Sequence, residues 1–336
     1  MASHGVAWRA DTMDSKAMWY GTALLSGILL LYIGAEWLIK GAAGLGRAVG
    51  VRPLVVGLTA VAFGTSMPEF VVSAVAAVKG MSGIALGNVV GSNIANLGLI
   101  LGITALLKPL VVEGSLTRRE LPIMLATSLA LPLLLAGGVV SRLDALILLL
   151  GAAGFTYLMA RSAVPGPAEV AALEADAEAA GAPRGTGRVR LTLIALVGLI
   201  LLVVGGQALV TGASGIALAL GISQRVVGLT IAAIGTSAPE LAASVVAALR
   251  GHPSIAVGNI VGSNIFNVLF VLGGAAAIRP ITSPLNTFGF DLAVLAAISV
   301  LATLLLRQER PIGRRAGALL LACYIAYLAA LVRGYS

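Results

Sequence analysis

Apolar residues run along this chain in stretches separated by short polar or glycine- and proline-bearing intervals. The stretches are about 20 residues long, the length that carries an α-helix across a hydrocarbon core. They predict ten helices, at roughly 18–39, 53–78, 84–107, 119–136, 141–161, 190–220, 226–249, 254–278, 287–306 and 314–333. Helices are required because a lipid-facing backbone must satisfy its own hydrogen bonds. The alternating segments of about ten residues that would mark a membrane barrel are absent. Residues 162–189 differ from the other intervals. They hold Pro165, Pro167 and Pro183 with Glu169, Glu174, Asp176 and Glu178, which predicts a polar linker with a short alanine-rich helix at 168–180. Residues 1–17 carry Arg9, Asp11, Asp14 and Lys16 around no apolar core, which predicts a short tail and not a cleavable signal peptide.

The pattern occurs twice. A shift of 171 residues lays Gly57-Leu58-Thr59 on Gly228-Leu229-Thr230 and Gly64-Thr65-Ser66 on Gly235-Thr236-Ser237. It also lays Pro68-Glu69 on Pro239-Glu240 and Gly91-Ser92-Asn93-Ile94 on Gly262-Ser263-Asn264-Ile265. From Val55 to Pro109, 30 of 55 positions match without a gap, and the rare polar residues stay in register, which marks a duplication. Each half holds five predicted spans, so the second half enters the membrane from the opposite side. The expected fold is an all-α integral membrane protein with ten transmembrane helices arranged as two inverted five-helix repeats. The first repeat covers 18–161, with its duplicated segment at 53–109; the second covers 190–333, with its duplicated segment at 224–280; the 162–189 linker is expected in the cytoplasm. Inverted repeats of this kind place a transport site near the midplane where the halves meet.

Composition agrees with a membrane protein: 59% of residues are hydrophobic and only 11% charged, with 42 glycines in 336 residues. Soluble domains carry about 25% charged residues. The net charge of +8 comes from Lys and Arg that stand singly or in pairs between apolar runs, not from a basic stripe with interleaved aromatics, so nucleic acid is not an expected partner. With the N-terminus outside, 15 of the 22 basic residues fall in the inside segments, which predicts that both termini face outward. Cys323 is the only cysteine and the two histidines, His4 and His252, form no metal pair, so no disulfide, metal cluster or cofactor is expected.

Two charges lie deep in predicted spans. Glu69 and Glu240 sit centrally in the second and seventh runs, and no Lys or Arg lies in the middle of any run to pair with them. A carboxylate at the bilayer centre costs at least about 2.5–3.5 kcal/mol. A bound cation compensates both; the alternative is a protonated pair hydrogen-bonded between helices. Pro68 and Pro239 lack an N–H, which is expected to leave the Gly64 and Gly235 carbonyls without helical partners. Carboxylates beside carbonyl oxygens suit hard cations. Thr65, Glu69 and Ser73 share one helical stripe with Ser66 beside it, and Thr236, Glu240, Ser244 and Ser237 repeat the arrangement. Asn88, Ser92 and Asn96 form a second stripe that Asn259, Ser263 and Asn267 repeat. Part of these stripes is expected to be interhelical bonding, with Gly87 and Gly91 allowing close contact, and Asn88, Asn93, Asn259 and Asn264 are assigned to that structural part. Glu36, whose repeat partner is Gln207, is expected to reach the interface or a neighbour, and Asp144 and Asp291 are expected to be interfacial.

At these residues the chain resembles the calcium/cation antiporter superfamily, and within it the prokaryotic sodium/calcium exchangers. The motifs that carry the resemblance are Gly64-Thr65-Ser66-Met67-Pro68-Glu69 with Gly91-Ser92-Asn93, and Gly235-Thr236-Ser237-Ala238-Pro239-Glu240 with Gly262-Ser263-Asn264. The resemblance implies that Glu69 and Glu240 bind Ca2+ together with the carbonyls of Thr65 and Thr236. It implies sodium sites built from Ser66, Ser237, Ser92, Ser263 and the carbonyls of Ala62 and Ala233, with Asn96 and Asn267 between them. Several members, including potassium-dependent ones, carry aspartate where this chain has Asn267, which argues against potassium coupling. The expected function is exchange of Ca2+ for Na+ across the cytoplasmic membrane by alternating access, with the two ions and the lipid bilayer as partners. A proton/calcium antiporter would use the same glutamates and stands as the alternative. A cation channel fits an inverted duplication poorly, and no nucleophile–base pair supports an enzyme.

Overall fold

The computed structural model describes residues 4–163, 187–221, 233–282, 285–308 and 310–334. Most of the predicted linker, its short helix, the first turns of the predicted seventh span and Gly228-Leu229-Thr230 lie outside the described residues. The first half holds helices α1 (His4–Val49), α2 (Pro53–Thr65), α3 (Met67–Val78), α4 (Ser82–Leu107), α5 (Gly114–Arg118), α6 (Glu120–Leu134) and α7 (Arg142–Arg161). The second holds α8 (Arg188–Ala219), α9 (Ala233–Thr236), α10 (Ala238–Leu249), α11 (Pro253–Ile278), α12 (Leu285–Leu306) and α13 (Arg314–Gly334). Helix α1 therefore reaches back into the segment set apart as a tail. Among the described residues, seven helices are long and apolar enough to cross a membrane, and α2 with α3 makes an eighth as a bent pair. The protein is a multi-pass α-helical membrane protein.

The bend between α2 and α3 is 41° and falls at Ser66, whose φ of −80° and ψ of 3° leave the helical region. Pro68 is the cause. It removes one donor from the ladder and its ring crowds the preceding turn, yet it is well tolerated in the first turn of a new helix. Ser237, with φ −90° and ψ 9°, separates α9 from α10 in front of Pro239 in the same way. The Gly64 carbonyl is not left bare, as Pro68 alone would suggest, because backbone N–H groups at the break bond to the carbonyls of Ala62 and Gly64. Among the described residues, wide π-helical turns interrupt three helices, at Gly57–Val61, Asn96–Ile100 and Asn267–Leu272. Such turns shift the register of side chains by about one residue and occur often at functional sites.

Helices α4 and α11 form the centre, with 78% and 94% of their most apolar stretches buried. Glycines let α11 cross α2 backbone to backbone: a Cβ on Gly57 would stand 2.5 Å from the Ile255 carbonyl oxygen, and one on Gly262 2.7 Å from that of Leu58. The segment equivalent to that part of α2, 222–232, lies outside the described residues. Helices α1 and α8 pack on each other along their length. Gly27 faces Leu209, Gly34 faces Leu202 and Gly41 faces Ala195, while Gly198, Gly205 and Gly212 face Leu38, Leu31 and Leu24. Partner numbers fall as residue numbers rise, so the two helices are antiparallel. Only 33% and 22% of their apolar stretches are buried, so the pair presents most of its surface to lipid. Glu36 on α1 does find a neighbour, an ion pair with Arg250 at 2.6 Å. The equivalent positions are Gln207 and Lys79, which form no ion pair of this kind.

The turns are duplicated too. Gly50 and Gly221 have φ of 71° and 84°, and Gly80 and Gly251 have φ of 73° and 81°. Both pairs are related by the 171-residue shift, and at each a side chain would be strained. Two small β contacts tie the halves together. Strand β1 (Val139–Val140) pairs antiparallel with β2 (Ile281–Thr282), and Leu110 bridges to Ile312. Asp144 closes a capping box with Ser141 at the start of α7. Asp291 is buried and accepts a hydrogen bond from the Tyr327 hydroxyl at 2.7 Å, which compensates its burial.

Candidate functional site

The two breaks bring the duplicated motifs face to face. Because α3 and α10 start afresh after Ser66 and Ser237, Glu69 and Glu240 fall in the first turn of their helices. Negative charge is stabilised there by the helix dipole. Both carboxyl groups are fully buried.

The serines of each half serve the glutamate of the other. Ser66 Oγ donates to Glu240 Oε1 at 3.2 Å, and Ser237 Oγ donates to Glu69 Oε1 at 3.2 Å. The second oxygen of each carboxylate, Oε2, is buried and has no partner among the described residues. The Thr65 hydroxyl stands 3.2 Å from Asn259 Oδ1, and the Ala62 carbonyl accepts the Ser66 N–H at 3.0 Å. Thr236 is half-buried, and Ala233 opens α9.

Asn88 and Asn259 have a structural task. Asn88 Nδ2 donates to the Glu69 carbonyl at 3.0 Å and to Ser73 Oγ at 2.8 Å. Asn259 Nδ2 makes the same two bonds to the Glu240 carbonyl, 3.3 Å, and Ser244 Oγ, 2.9 Å. Each asparagine thus pins the helix that carries its glutamate to the neighbouring long helix. Ser73 and Ser244, read from spacing as part of the oxygen stripe, are drawn into this clamp.

Asn96 and Asn267 open the π-helical turns of α4 and α11. Neither atom of the Asn96 amide has a partner among the described residues, nor do Asn267 Oδ1, Asn264 Oδ1 and Ser263 Oγ. With the two Oε2 atoms these make seven of the eleven such buried atoms. Native interiors leave few polar groups unpartnered, so their concentration on one duplicated motif is the chemical signature of the region. Six of the seven are oxygens, which suit a hard cation. The set carries two carboxylates and no cluster of three His, Cys, Asp or Glu occurs among the described residues. Spacing alone did not single out Glu120, which is buried at the start of α6 beside Arg119 and Arg52. It lies in sequence next to a basic pair, and that adjacency is the only signal available without the fold.

The chain resembles known proteins over most of its length. A family model described as sodium/calcium exchanger protein matches residues 19–161 and 190–333. A putative antiporter, CaxA, of Alkalimonas amylolytica is 40% identical over 90% of this chain and 96% of its own length. The sodium/calcium exchanger MaX1 of Methanosarcina acetivorans is 32% identical over 92% of this chain and 97% of its own. A solved structure of the sodium-calcium exchanger NCX_Mj, soaked with 2.5 mM Na+ and 0.1 mM Ca2+, superposes with a TM-score of 0.80 at 32% identity. That match covers 93% of this chain and 98% of the solved one.

Proposed function

The chain belongs to the sodium/calcium exchanger protein family of cation antiporters, and on that premise we propose that it exchanges Ca2+ for Na+ across the cytoplasmic membrane by alternating access. The observation that carries the proposal is the pair of buried glutamates, each with one oxygen held by the other half's serine and one oxygen unpartnered. Glu69 and Glu240 would take Ca2+ with the carbonyls of Thr65 and Thr236. Ser66, Ser92, Ser237, Ser263 and the carbonyls of Ala62 and Ala233 would take Na+, with Asn96 and Asn267 at the centre. One Ca2+, or two Na+, neutralises the two carboxylates. A neutral site crosses the low-dielectric barrier far more cheaply than a charged one. Competition for the shared carboxylates then links the two fluxes as exchange and opposes leak. Calcium uptake into proteoliposomes tests this: an imposed sodium gradient should drive it, and uptake driven by a proton gradient alone would overturn the sodium assignment.

The architecture proposed for this cycle is ten spans in two inverted five-helix repeats, 18–161 and 190–333. The antiparallel course of the equivalent helices α1 and α8 supports the inversion. The bias of Lys and Arg supports termini outside and the 162–189 linker in the cytoplasm. In a Cys323→Ala background, Gly187→Cys should resist impermeant maleimide in intact cells while Ser336→Cys reacts. The reverse pattern would overturn this orientation.

Exchange should not require potassium. With Asn96 and Asn267 neutral, one Ca2+ already balances the two glutamates, and an added K+ would leave an uncompensated charge. Uptake measured at clamped voltage should be the same with choline or potassium as the balancing ion, and a strict need for potassium would refute the charge count. Asn267→Asp should change the cation dependence.

A further inference from the structure

The hydrogen bonds of four asparagines break the symmetry of the duplicated site. Ser66 to Glu240 and Ser237 to Glu69 are one bond made twice, and the clamps of Asn88 and Asn259 repeat as faithfully. The asparagines of the Gly-Ser-Asn segments do not follow. Asn267 Nδ2 donates to Asn93 Oδ1 at 3.0 Å. The equivalent bond under the 171-residue shift would run from Asn96 Nδ2 to Asn264 Oδ1, and both of those atoms are buried without a partner. The remaining donors differ as well. Asn93 Nδ2 reaches across to the Asn264 carbonyl at 3.2 Å, whereas Asn264 Nδ2 turns back to Ile260 on its own helix at 2.8 Å.

All four residues are asparagine, so side-chain chemistry is not the cause. The difference lies in which partners the four amides take in the two halves. The same sequence therefore has a second arrangement open to it, in which Asn264 holds Asn96 and the Asn93–Asn267 bond is released. One bond is made and one forgone in either arrangement, which keeps the two close in energy, as a carrier that must visit both requires.

We propose that Asn93 and Asn264 are positioning residues that anchor the central amides of Asn267 and Asn96 in alternation, one for each access state. An anchored amide has its donor fixed and so presents its oxygen to the cargo in a set direction. The Asn267 oxygen, unpartnered while its Nδ2 is held, is in that condition; the Asn96 amide, with neither atom held, is free to turn. Each amide is thus ordered in one state and released in the other. This inference rests on the alternating-access reading above.

The experiment compares Asn93→Leu with Asn264→Leu, which keep side-chain volume and remove the bond. Ca2+–Ca2+ exchange is followed in vesicles of both orientations, and the apparent KM for Ca2+ is taken at each face. This assay needs no coupling ion, so failure of the sodium assignment leaves it intact. Removing one anchor should disfavour its state, so the ratio of the two KM values should shift at least threefold, in opposite directions for the two variants. The double variant should return within twofold of the unmutated ratio. A shift in the same direction for both, or an unchanged ratio with exchange retained, would overturn the proposal, since a merely structural role weakens both faces alike. Should the leucine variants not exchange, labelling supplies the second readout. Leu199→Cys in the Cys323→Ala background places a thiol on α8 against Gly64. With Asn93→Ser or Asn264→Ser, impermeant maleimide should label it faster from opposite faces, and equal labelling in the two variants would overturn the proposal.

Discussion

Glu69→Gln or Glu240→Gln is expected to abolish calcium exchange while the protein still folds and inserts. The amide keeps the shape of the carboxylate and keeps an oxygen for the bond from the other half's serine, Ser237 or Ser66. What it removes is one of the two negative charges that oppose Ca2+. A divalent ion on a single carboxylate leaves a net positive charge at the bilayer midplane, a cost of at least about 2.5–3.5 kcal/mol. At about 1.4 kcal/mol per tenfold, exchange should fall by roughly a hundredfold or more. Stability should hold, because a buried amide costs less than an unpaired buried charge. Uptake of labelled calcium into proteoliposomes and thermal unfolding in detergent would be measured side by side. Near-normal uptake in either variant would remove that residue from the site.

The second large effect is expected at the glycine seam of α1 and α8. A Cβ at Gly198 would overlap the backbone of Leu38, and one at Gly34 would stand 2.7 Å from the backbone nitrogen of Leu202. Backbone cannot swing aside as a side chain does, so Gly198→Leu must push the two helices apart along a contact that lipid cannot refill at equal density. Overpacking of this kind costs about 1–3 kcal/mol and more when backbone must move. Small residues at such seams are what permit helix pairing where no hydrophobic force acts between helices. Gly198→Leu should lower the unfolding temperature and reduce exchange together. Gly21→Ala, on the same helix pair but with nothing within 4 Å of the added carbon, is the control and should match the unmutated protein. Equal behaviour of the two variants would mean that the seam does not hold the pair.

Much of this was legible in the amino-acid sequence. The apolar runs foretold a multi-pass α-helical membrane protein, of whose ten expected spans seven, or eight with the bent pair, qualify among the described residues, and the 171-residue shift drew attention to Glu69 and Glu240 together with their neighbours. Local spacing could not tell which partner each polar residue takes. Ser66 stands three positions before Glu69, yet its hydroxyl serves Glu240. Ser73 falls on the same helical stripe as Glu69, but Asn88 on the next helix claims it. The partner of Asp291 is Tyr327, 36 residues away, which no spacing foretells. In each case the deciding contact crosses between helices, and helical periodicity describes only one helix at a time. The asymmetry of the four asparagines is beyond any sequence signal, since identical residues behave differently.

In the language of oligomers, the serine–glutamate bonds have the form of an isologous interface: residue i of one partner meets j of the other, and j meets i. The chain is in this sense a dimer whose subunits have been joined end to end. Neither half owns a complete set of oxygens, for each lends its serine and borrows the other's. An ion taken by the two glutamates would therefore be held by an interface, and neither half alone could offer it the same surroundings.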